Sequence, residues 1–230
     1  MNYGYYGYTY GPEMLLLIVA LIFAFYAQYK VNSVFNKYLK VRNYSGYTGK
    51  EVARMILDRN GLRDIMVEPI GGQLTDHYDP RSRVIRLSRN VYDGDSIASL
   101  SVAAHEVGHA IQHWEGYFPL ILRNNIAPIA NICSRFVWIL IFLGFIISPF
   151  LVEVGILLYL AVVIFQIVTL PVEYNASNRA LYQLEAGIVD REEIEPAKKV
   201  LHAAALTYVA ATLVALGQLL RLISLSNRRD

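Results

Sequence analysis

The residues with the clearest chemical potential are His105, Glu106 and His109, which form the pattern His-Glu-x-x-His. Residues four positions apart lie on one face of an α-helix, so the two imidazoles can bind one metal ion together. Glu106 directly follows the first histidine, where it can act as a base towards a water molecule on that metal. The pattern predicts a single Zn²⁺ ion and a zinc hydrolase. The alternative is a chance match, expected in roughly one chain of this length in a hundred.

The residues around this motif predict a helix. An apolar run at residues 97–104 precedes the motif, Asp95 or Ser96 can cap its start, and Gly116 can end it. Burying Glu106 in such a helix without a partner would cost on the order of several kcal/mol. A nearby metal ion removes that cost, which favours a metal site over a structural helix that carries the pattern by accident.

A catalytic zinc ion usually has three protein ligands, so one more must be found. His113 lies eight residues after His105, which is about 12 Å along a helix and too far for a shared ion. Glu173 is the better candidate, because two predicted membrane spans separate it from His109 and both residues then lie on the same side of the membrane. Ser177 lies one turn beyond Glu173 and is predicted to support a ligand by hydrogen bonding.

Four further residues are candidates for the cleft or for stabilising the transition state. Asp76 and His77 precede a turn at Asp79 and can line the cleft. The oxyanion of peptide hydrolysis needs a donor besides the metal, and Arg179, His77 and Tyr174 are the candidates. The sequence does not choose among them.

The composition predicts a membrane protein, since 55% of the 230 residues are hydrophobic and only 17% are charged. Four apolar runs are long enough to cross a bilayer, and Pro149 marks the turn between the second and third. The predicted fold class is an α-helical membrane protein with four transmembrane helices and a small α+β zincin-like domain that carries the motif helix. The predicted segments are a Tyr/Gly-rich tail (1–13), transmembrane helix 1 (14–31), the catalytic domain (32–125), a transmembrane hairpin (126–170), a helical segment with the third ligand (171–198), transmembrane helix 4 (199–223) and a C-terminal tail (224–230).

The segment at 32–125 contains signals for one helix and a small mixed sheet. Thr48 and Glu51 have the spacing of a capping box that opens a helix. Short strands are predicted at 65–70, 73–78 and 84–87. A free strand edge beside the motif helix could pair with an extended peptide and lay it across the metal.

Charges near the spans bear on orientation and partners. Basic residues follow the first span at Lys30, Lys37, Lys40 and Arg42. They predict a cytoplasmic active site in a multi-pass protein, although the basic residues near the C-terminus, Arg221, Arg228 and Arg229, oppose this orientation. The expected partners are the lipid bilayer, a peptide or membrane-protein substrate and other membrane proteins. A net charge of +2 predicts no nucleic-acid surface.

Four stretches together carry a resemblance to a known family. They are Leu-Thr-Asp-His-Tyr-Asp-Pro-Arg-Ser at 74–82, Ala-His-Glu-Val-Gly-His-Ala-Ile-Gln at 104–112, Leu-Pro-Val-Glu at 170–173 and Ala-Ala-Leu-Thr-Tyr-Val-Ala-Ala at 204–211. The chain resembles the YugP-type neutral zinc metallopeptidases of bacterial membranes, which implies peptidase activity in a bacterial cell membrane. Its layout is also similar to the HtpX and CAAX-protease zincins. Those carry Glu-x-x-Ala-Asp, whereas Ser177 holds the last position here.

The favoured hypothesis is a membrane-embedded zinc metalloendopeptidase in which His105, His109 and Glu173 bind zinc and Glu106 is the general base. The first alternative is a non-catalytic membrane scaffold or regulatory protein with a structural zinc site, in which His77 or His113 supplies a fourth ligand. The second alternative keeps zinc hydrolysis but acts on a non-peptide amide or ester.

Overall fold

The structure is a computed structural model that describes residues 11–227, so most of the predicted N-terminal tail lies outside the described residues, as do Arg228 and Arg229. Along this part of the chain, two helices are followed by three strands and then by five helices. They are α1 (Pro12–Tyr38), α2 (Gly49–Arg59), β1 (Met66–Ile70), β2 (His77–Asp79), β3 (Val84–Ser88), α3 (Arg89–Tyr92), α4 (Ile97–Trp114), α5 (Phe118–Ile146), α6 (Pro149–Glu185) and α7 (Arg191–Asn227).

Four of the described helices, α1, α5, α6 and α7, are long and apolar enough to cross a membrane. This agrees with the four predicted transmembrane helices, but the helices are longer than the predicted spans. The predicted boundary between residues 170 and 171 is not a helix end, since α6 continues through Pro171 to Glu185. A proline inside a helix removes one backbone hydrogen bond without necessarily ending the helix.

The described part of the chain divides into two compact units. The first contains residues 11–26, 126–166 and 210–227 and consists of apolar helix segments. Small residues allow close packing within it, because a Cβ on Gly144 would lie 2.7 Å from the backbone nitrogen of Val152. Large apolar side chains such as Phe142 remain exposed on its surface, as expected for a surface that faces lipid.

The second unit contains residues 27–125 and 167–209 and includes the sheet. The strand order is β1-β3-β2, with β1 parallel and β2 antiparallel to β3, so the predicted mixed sheet is confirmed. Its core packs Ile85 and Leu87 of β3 with Ile56 of α2 and with Leu100 and Val107 of α4. The central strand is covered by apolar side chains, and β2 forms one edge of the sheet.

The second predicted strand was too long. Only His77–Asp79 forms β2, while residues 73–76 form no strand. Gly72 and Leu74 have positive φ angles of 100° and 56°, which bend the chain out of the extended conformation. The Asp76 carboxylate then accepts hydrogen bonds from the backbone N–H and the hydroxyl of Ser88, which fixes the entry into β2.

The starts of α2 and α4 follow their local signals. Thr48 and Glu51 form the predicted capping box at the start of α2. Of the two candidates for the start of α4, Ser96 is the N-cap and accepts a hydrogen bond from the backbone N–H of Ser99. Gly116 follows α4 with a φ of 65°, as expected for a left-handed helix stop.

Candidate metal centre

The side chains of His105, His109 and Glu173 converge at one point within the second unit. One potential ligand atom from each lies within 4.8 Å of the others. The Nε2 atoms of His105 and His109 lie 3.3 Å and 3.5 Å from the same carboxylate oxygen, Oε2 of Glu173. Two ligand atoms thus come from one helix, α4, and the third comes from α6.

A close approach of two helices brings Glu173 to this point. A Cβ on Gly108 of α4 would lie only 2.5 Å from the backbone oxygen of Ala176 of α6. No side chain larger than hydrogen fits there without a shift of the backbone. Gly108 precedes His109 and Ala176 lies on the helical turn after Glu173, so the contact sets the distance between the histidines and the carboxylate.

Gln112 determines which nitrogen of His109 faces the carboxylate. Its Nε2 donates to the backbone oxygen of Val172 at 2.8 Å and to Oδ1 of Asn175 at 2.9 Å. Its Oε1 therefore faces Nδ1 of His109 at 3.0 Å and accepts a hydrogen bond from it. With the proton on Nδ1, the Nε2 of His109 presents a lone pair towards Glu173.

Ser177 has the corresponding position beside His105. Its Oγ lies 3.2 Å from Nδ1 of His105. A hydroxyl can accept the Nδ1 proton, which leaves Nε2 of His105 as an electron-pair donor. With Gln112 and Ser177 accepting the two Nδ1 protons, both histidines direct an unprotonated nitrogen to the same point.

The Glu173 carboxylate is only 3% exposed, and its two oxygens differ. Oε1 accepts a hydrogen bond from Nη1 of Arg123 at 3.1 Å, and the Tyr208 side chain lies within hydrogen-bonding reach of the carboxylate. Oε2 is buried and has no hydrogen-bond partner among the described residues. A buried carboxylate oxygen is normally satisfied, and this one faces two imidazole lone pairs. The donor set therefore fits a zinc ion, which binds imidazole nitrogen and carboxylate oxygen.

Glu106 lies on α4 beside the cluster of His105, His109 and Glu173. It is buried, with 8% of its surface exposed. Burial raises the pKa of its carboxyl to about 7, and the negative charge of Glu173 adds to this rise. His105 and the backbone N–H of Tyr78 lower the same pKa. The carboxyl group also lies next to the edge strand β2.

The other predicted residues lie outside the three-residue cluster. Nδ1 of His77 contacts the backbone oxygen of Thr75 at 2.8 Å. Asp76 binds Ser88, and burial raises the pKa of its carboxyl against the effect of those hydrogen bonds.

Arg179 is held by two polar side chains, whereas Tyr174 is exposed. Arg179 donates to Oδ1 of Asn175 at 2.7 Å and pairs with Glu115 at 2.7 Å, and the latter bond lowers the pKa of the Glu115 carboxyl. Tyr174 is 43% exposed. His113, excluded as a ligand by its spacing, hydrogen-bonds through Nδ1 to the Tyr78 hydroxyl at 2.9 Å.

Sequence reasoning missed Gln112, Asn175 and Arg123. A local signal existed for Gln112, because it lies three residues after His109 and the side chains at that spacing share a helix face. Asn175 lies two residues after Glu173 and is reached by Gln112 only once α4 and α6 meet. Arg123 had no local signal, since its contact with Glu173 depends on how α5 and α6 pack.

Residues 13–227 match a family model described as "Putative neutral zinc metallopeptidase". The chain belongs to this zinc metallopeptidase family. It is also 51% identical over 220 residues to a Bacillus subtilis (strain 168) protein named "Putative membrane protease YugP", a match that covers 94% of this chain and 98% of that protein. The predicted membership of the YugP-type family is therefore confirmed. No solved structure is significantly similar to the chain.

Proposed function

We propose that the chain is a zinc metalloendopeptidase of a bacterial cell membrane. Its substrates are proteins that are associated with the membrane or delivered to it. The main support for this proposal is that His105 and His109 converge on Oε2 of Glu173, a buried carboxylate oxygen without a hydrogen-bond partner among the described residues. Glu106 lies beside these three side chains. Membership of a metallopeptidase family supports the same function.

His105, His109 and Glu173 would hold the zinc ion through Nε2, Nε2 and Oε2. Gln112 and Ser177 fix the two imidazole rings by binding their Nδ1 protons. When bound, zinc supplies a Lewis acid that polarises the scissile carbonyl and makes water a stronger nucleophile near neutral pH.

Glu106 moves the proton in this proposal. Its carboxylate accepts a proton from the attacking water and then donates it to the nitrogen of the leaving amine. A base that must also act as an acid works best with a pKa close to the working pH. The burial that raises the pKa of Glu106 to about 7 suits both steps.

The edge strand β2 supports a peptide as the substrate. The backbone N–H of Tyr78 in β2 lies next to Glu106, and β2 is bonded to β3 on one side only. An extended peptide could pair with the other side and carry its scissile bond to Glu106. A non-peptide amide or ester would not use this edge.

Side-chain contacts reduce the number of candidate donors for the oxyanion from three to two. Arg179 is bound to Asn175 and Glu115, so it orients Asn175 rather than facing a substrate. His77 and Tyr174 remain the candidates, and His77 lies on the edge strand.

We place the active site on the cytoplasmic side of the membrane. Lys30 and Lys37 lie in the last part of α1, and Lys40 and Arg42 follow it. Basic residues next to a first transmembrane helix are retained in the cytoplasm.

The structural-zinc alternative requires a fourth protein ligand. Among residues 11–227, the cluster that could hold a metal has three members, and neither His77 nor His113 belongs to it. A site with three protein ligands leaves a position for water, which is the arrangement of catalytic zinc.

The test compares two variants of the full-length protein in detergent or proteoliposomes. Glu106→Gln is expected to retain one zinc ion per chain and to lose at least about a hundredfold of its cleavage rate, because proton transfer by the base is lost. Glu173→Gln is expected to lose both cleavage and zinc, because a neutral amide is a weaker zinc ligand than a carboxylate. Zinc is measured by elemental analysis, and cleavage is measured on unfolded casein and on membrane-protein fragments by mass spectrometry.

Glu185→Gln at the exposed end of α6 is the matched control and is expected to resemble the wild type. Full zinc occupancy in Glu173→Gln would contradict the ligand assignment. Undiminished cleavage by Glu106→Gln would contradict the mechanism.

A further inference from the structure

A basic cavity lies in the second unit, and none of the candidate metal ligands lines it, although Tyr174, the residue after Glu173, does. Its volume is about 670 Å³, and it is lined mainly by residues of α1 and α7. Five of the lining residues can carry a positive charge: Lys30, Lys37, Lys198, Lys199 and His202.

Most of this charge is not neutralised by neighbouring residues. Lys198 lies 3.7 Å from Glu195, which is the one acidic residue that lines the cavity. Lys30, Lys37 and Lys199 form no ion pair with any residue between 11 and 227. The cavity therefore has a net positive charge and can attract an anion.

The remaining walls of the cavity are largely apolar, with Val34 on α1 and Ala203, Ala205 and Leu206 on α7. A ligand that fills this cavity must therefore combine a negative charge with apolar groups. A free inorganic anion would leave the apolar walls in contact with water.

The position along the helices agrees with the polar surface of a membrane. On α1, Lys30 follows the apolar run at residues 14–26, and on α7, Lys198 and Lys199 precede the apolar run at 203–216. Both helices are long and apolar enough to span a bilayer. Lysines at such boundaries lie at the level of lipid headgroups.

We propose that this cavity binds the headgroup of an anionic phospholipid such as phosphatidylglycerol. The lysines bind the phosphate, and the apolar walls contact the glycerol backbone and the first part of an acyl chain. Basic pockets between transmembrane helices are known to bind anionic headgroups. An acidic peptide would match the lysines but would leave the apolar walls without a partner, so it is the less suitable ligand.

The test is a binding experiment on the full-length protein in a neutral detergent. The probes are short-chain phosphatidylglycerol, short-chain phosphatidylcholine, inorganic phosphate and a poly-glutamate peptide. Two triple variants are compared. The cavity variant carries Lys37→Gln, Lys198→Gln and Lys199→Gln. The control variant carries Lys50→Gln, Arg63→Gln and Arg81→Gln, which remove the same charge from exposed positions that do not line the cavity. Binding is measured by native mass spectrometry and by isothermal titration calorimetry.

Phosphatidylglycerol is expected to bind the wild type and the control variant with equal affinity, and the cavity variant on the order of tenfold more weakly. Phosphatidylcholine and inorganic phosphate are expected to bind much more weakly than phosphatidylglycerol. Equal binding of phosphatidylglycerol to both variants would overturn the proposal. Inorganic phosphate or the acidic peptide binding as tightly as the lipid would overturn it too. These measurements need neither zinc nor cleavage, so their outcome is independent of the proposed peptidase function.

Discussion

Gln112 is a neutral side chain whose three hydrogen bonds all serve the candidate metal centre. Its amide group donates twice, to Val172 and Asn175, and its oxygen accepts from His109. Since both donor positions are occupied, the amide cannot turn over without losing hydrogen bonds. The orientation of one amide thus fixes the protonation of one imidazole ring, and α4 and α6 are joined by the same side chain.

Gln112→Leu is therefore expected to weaken zinc binding about 10- to 100-fold, as is usual for the loss of a group that orients a ligand. The His109 ring would lose its fixed tautomer while all three ligands remain. Zinc affinity is measured by competition with a chromophoric chelator. Gln183→Leu on α6, whose side chain makes only a long 3.4 Å bond to Asn60, is the matched control. Equal zinc affinities of the two variants would contradict this role for Gln112.

At the level of single residues, the sequence predicts those positions whose chemistry follows from spacing. His105, Glu106 and His109 follow from one helical turn, and Glu173 follows from its place after the two spans that separate it from His109. The Arg123 contact with Glu173 could not be predicted in this way. It depends on a meeting of two helices that no local pattern specifies.

At the level of helices, the contact between Gly108 and Ala176 sets the geometry of the site. The absence of a Cβ on α4 allows the backbone of α6 to approach directly. Three ligand atoms from two separate helices can then lie within a few ångströms of one another. The glycine of the His-Glu-x-Gly-His sequence is thus a packing residue for the third ligand.

Gly108→Ala is expected to lower zinc affinity by at least about tenfold and the free energy of unfolding by about 1–3 kcal/mol, because α4 and α6 must move apart. Chelator competition and thermal unfolding with and without zinc provide the measurements. Gly71→Ala is the control, since no atom lies within 4 Å of its new Cβ. A Gly108→Ala variant with wild-type affinity would show that the close approach is not required.

The helices and strands differ in how far local sequence determined them. The helix α4 begins after its N-cap, Ser96, and ends just before Gly116, so its prediction needed no tertiary information. The strand β2 was predicted too long because its start depends on Asp76 binding Ser88, a residue much later in the chain. The third predicted span and the helical segment predicted after it form one continuous helix, α6, and the local sequence does not show whether the two are joined.

For the whole molecule, the proposed orientation makes a separate prediction about topology. The variant Lys50→Cys is made in a Cys133→Ala background, because position 50 is exposed. If this part of the chain is cytoplasmic, the new cysteine is expected to react with a membrane-impermeant maleimide in inside-out vesicles and not in intact cells. Labelling is measured by the mass shift of the protein. Gln28→Cys is the control, because Gln28 is exposed and lies on α1, the helix that contains the first apolar run. Its labelling in denatured samples shows how strongly a cysteine of this protein reacts when no membrane protects it. Labelling of position 50 in intact cells would place the site outside the cytoplasm.

The position of Glu173 in the chain has a consequence for how the protein is made. The ribosome synthesises His105, Glu106 and His109 first, then the helix α5 and the apolar part of α6, and only then Glu173. A nascent chain therefore holds two of the three candidate ligands until α5 and the apolar part of α6 have been synthesised. The order of synthesis thus means that the candidate metal centre can be completed only in a chain that has already made the apolar segments of α1, α5 and α6.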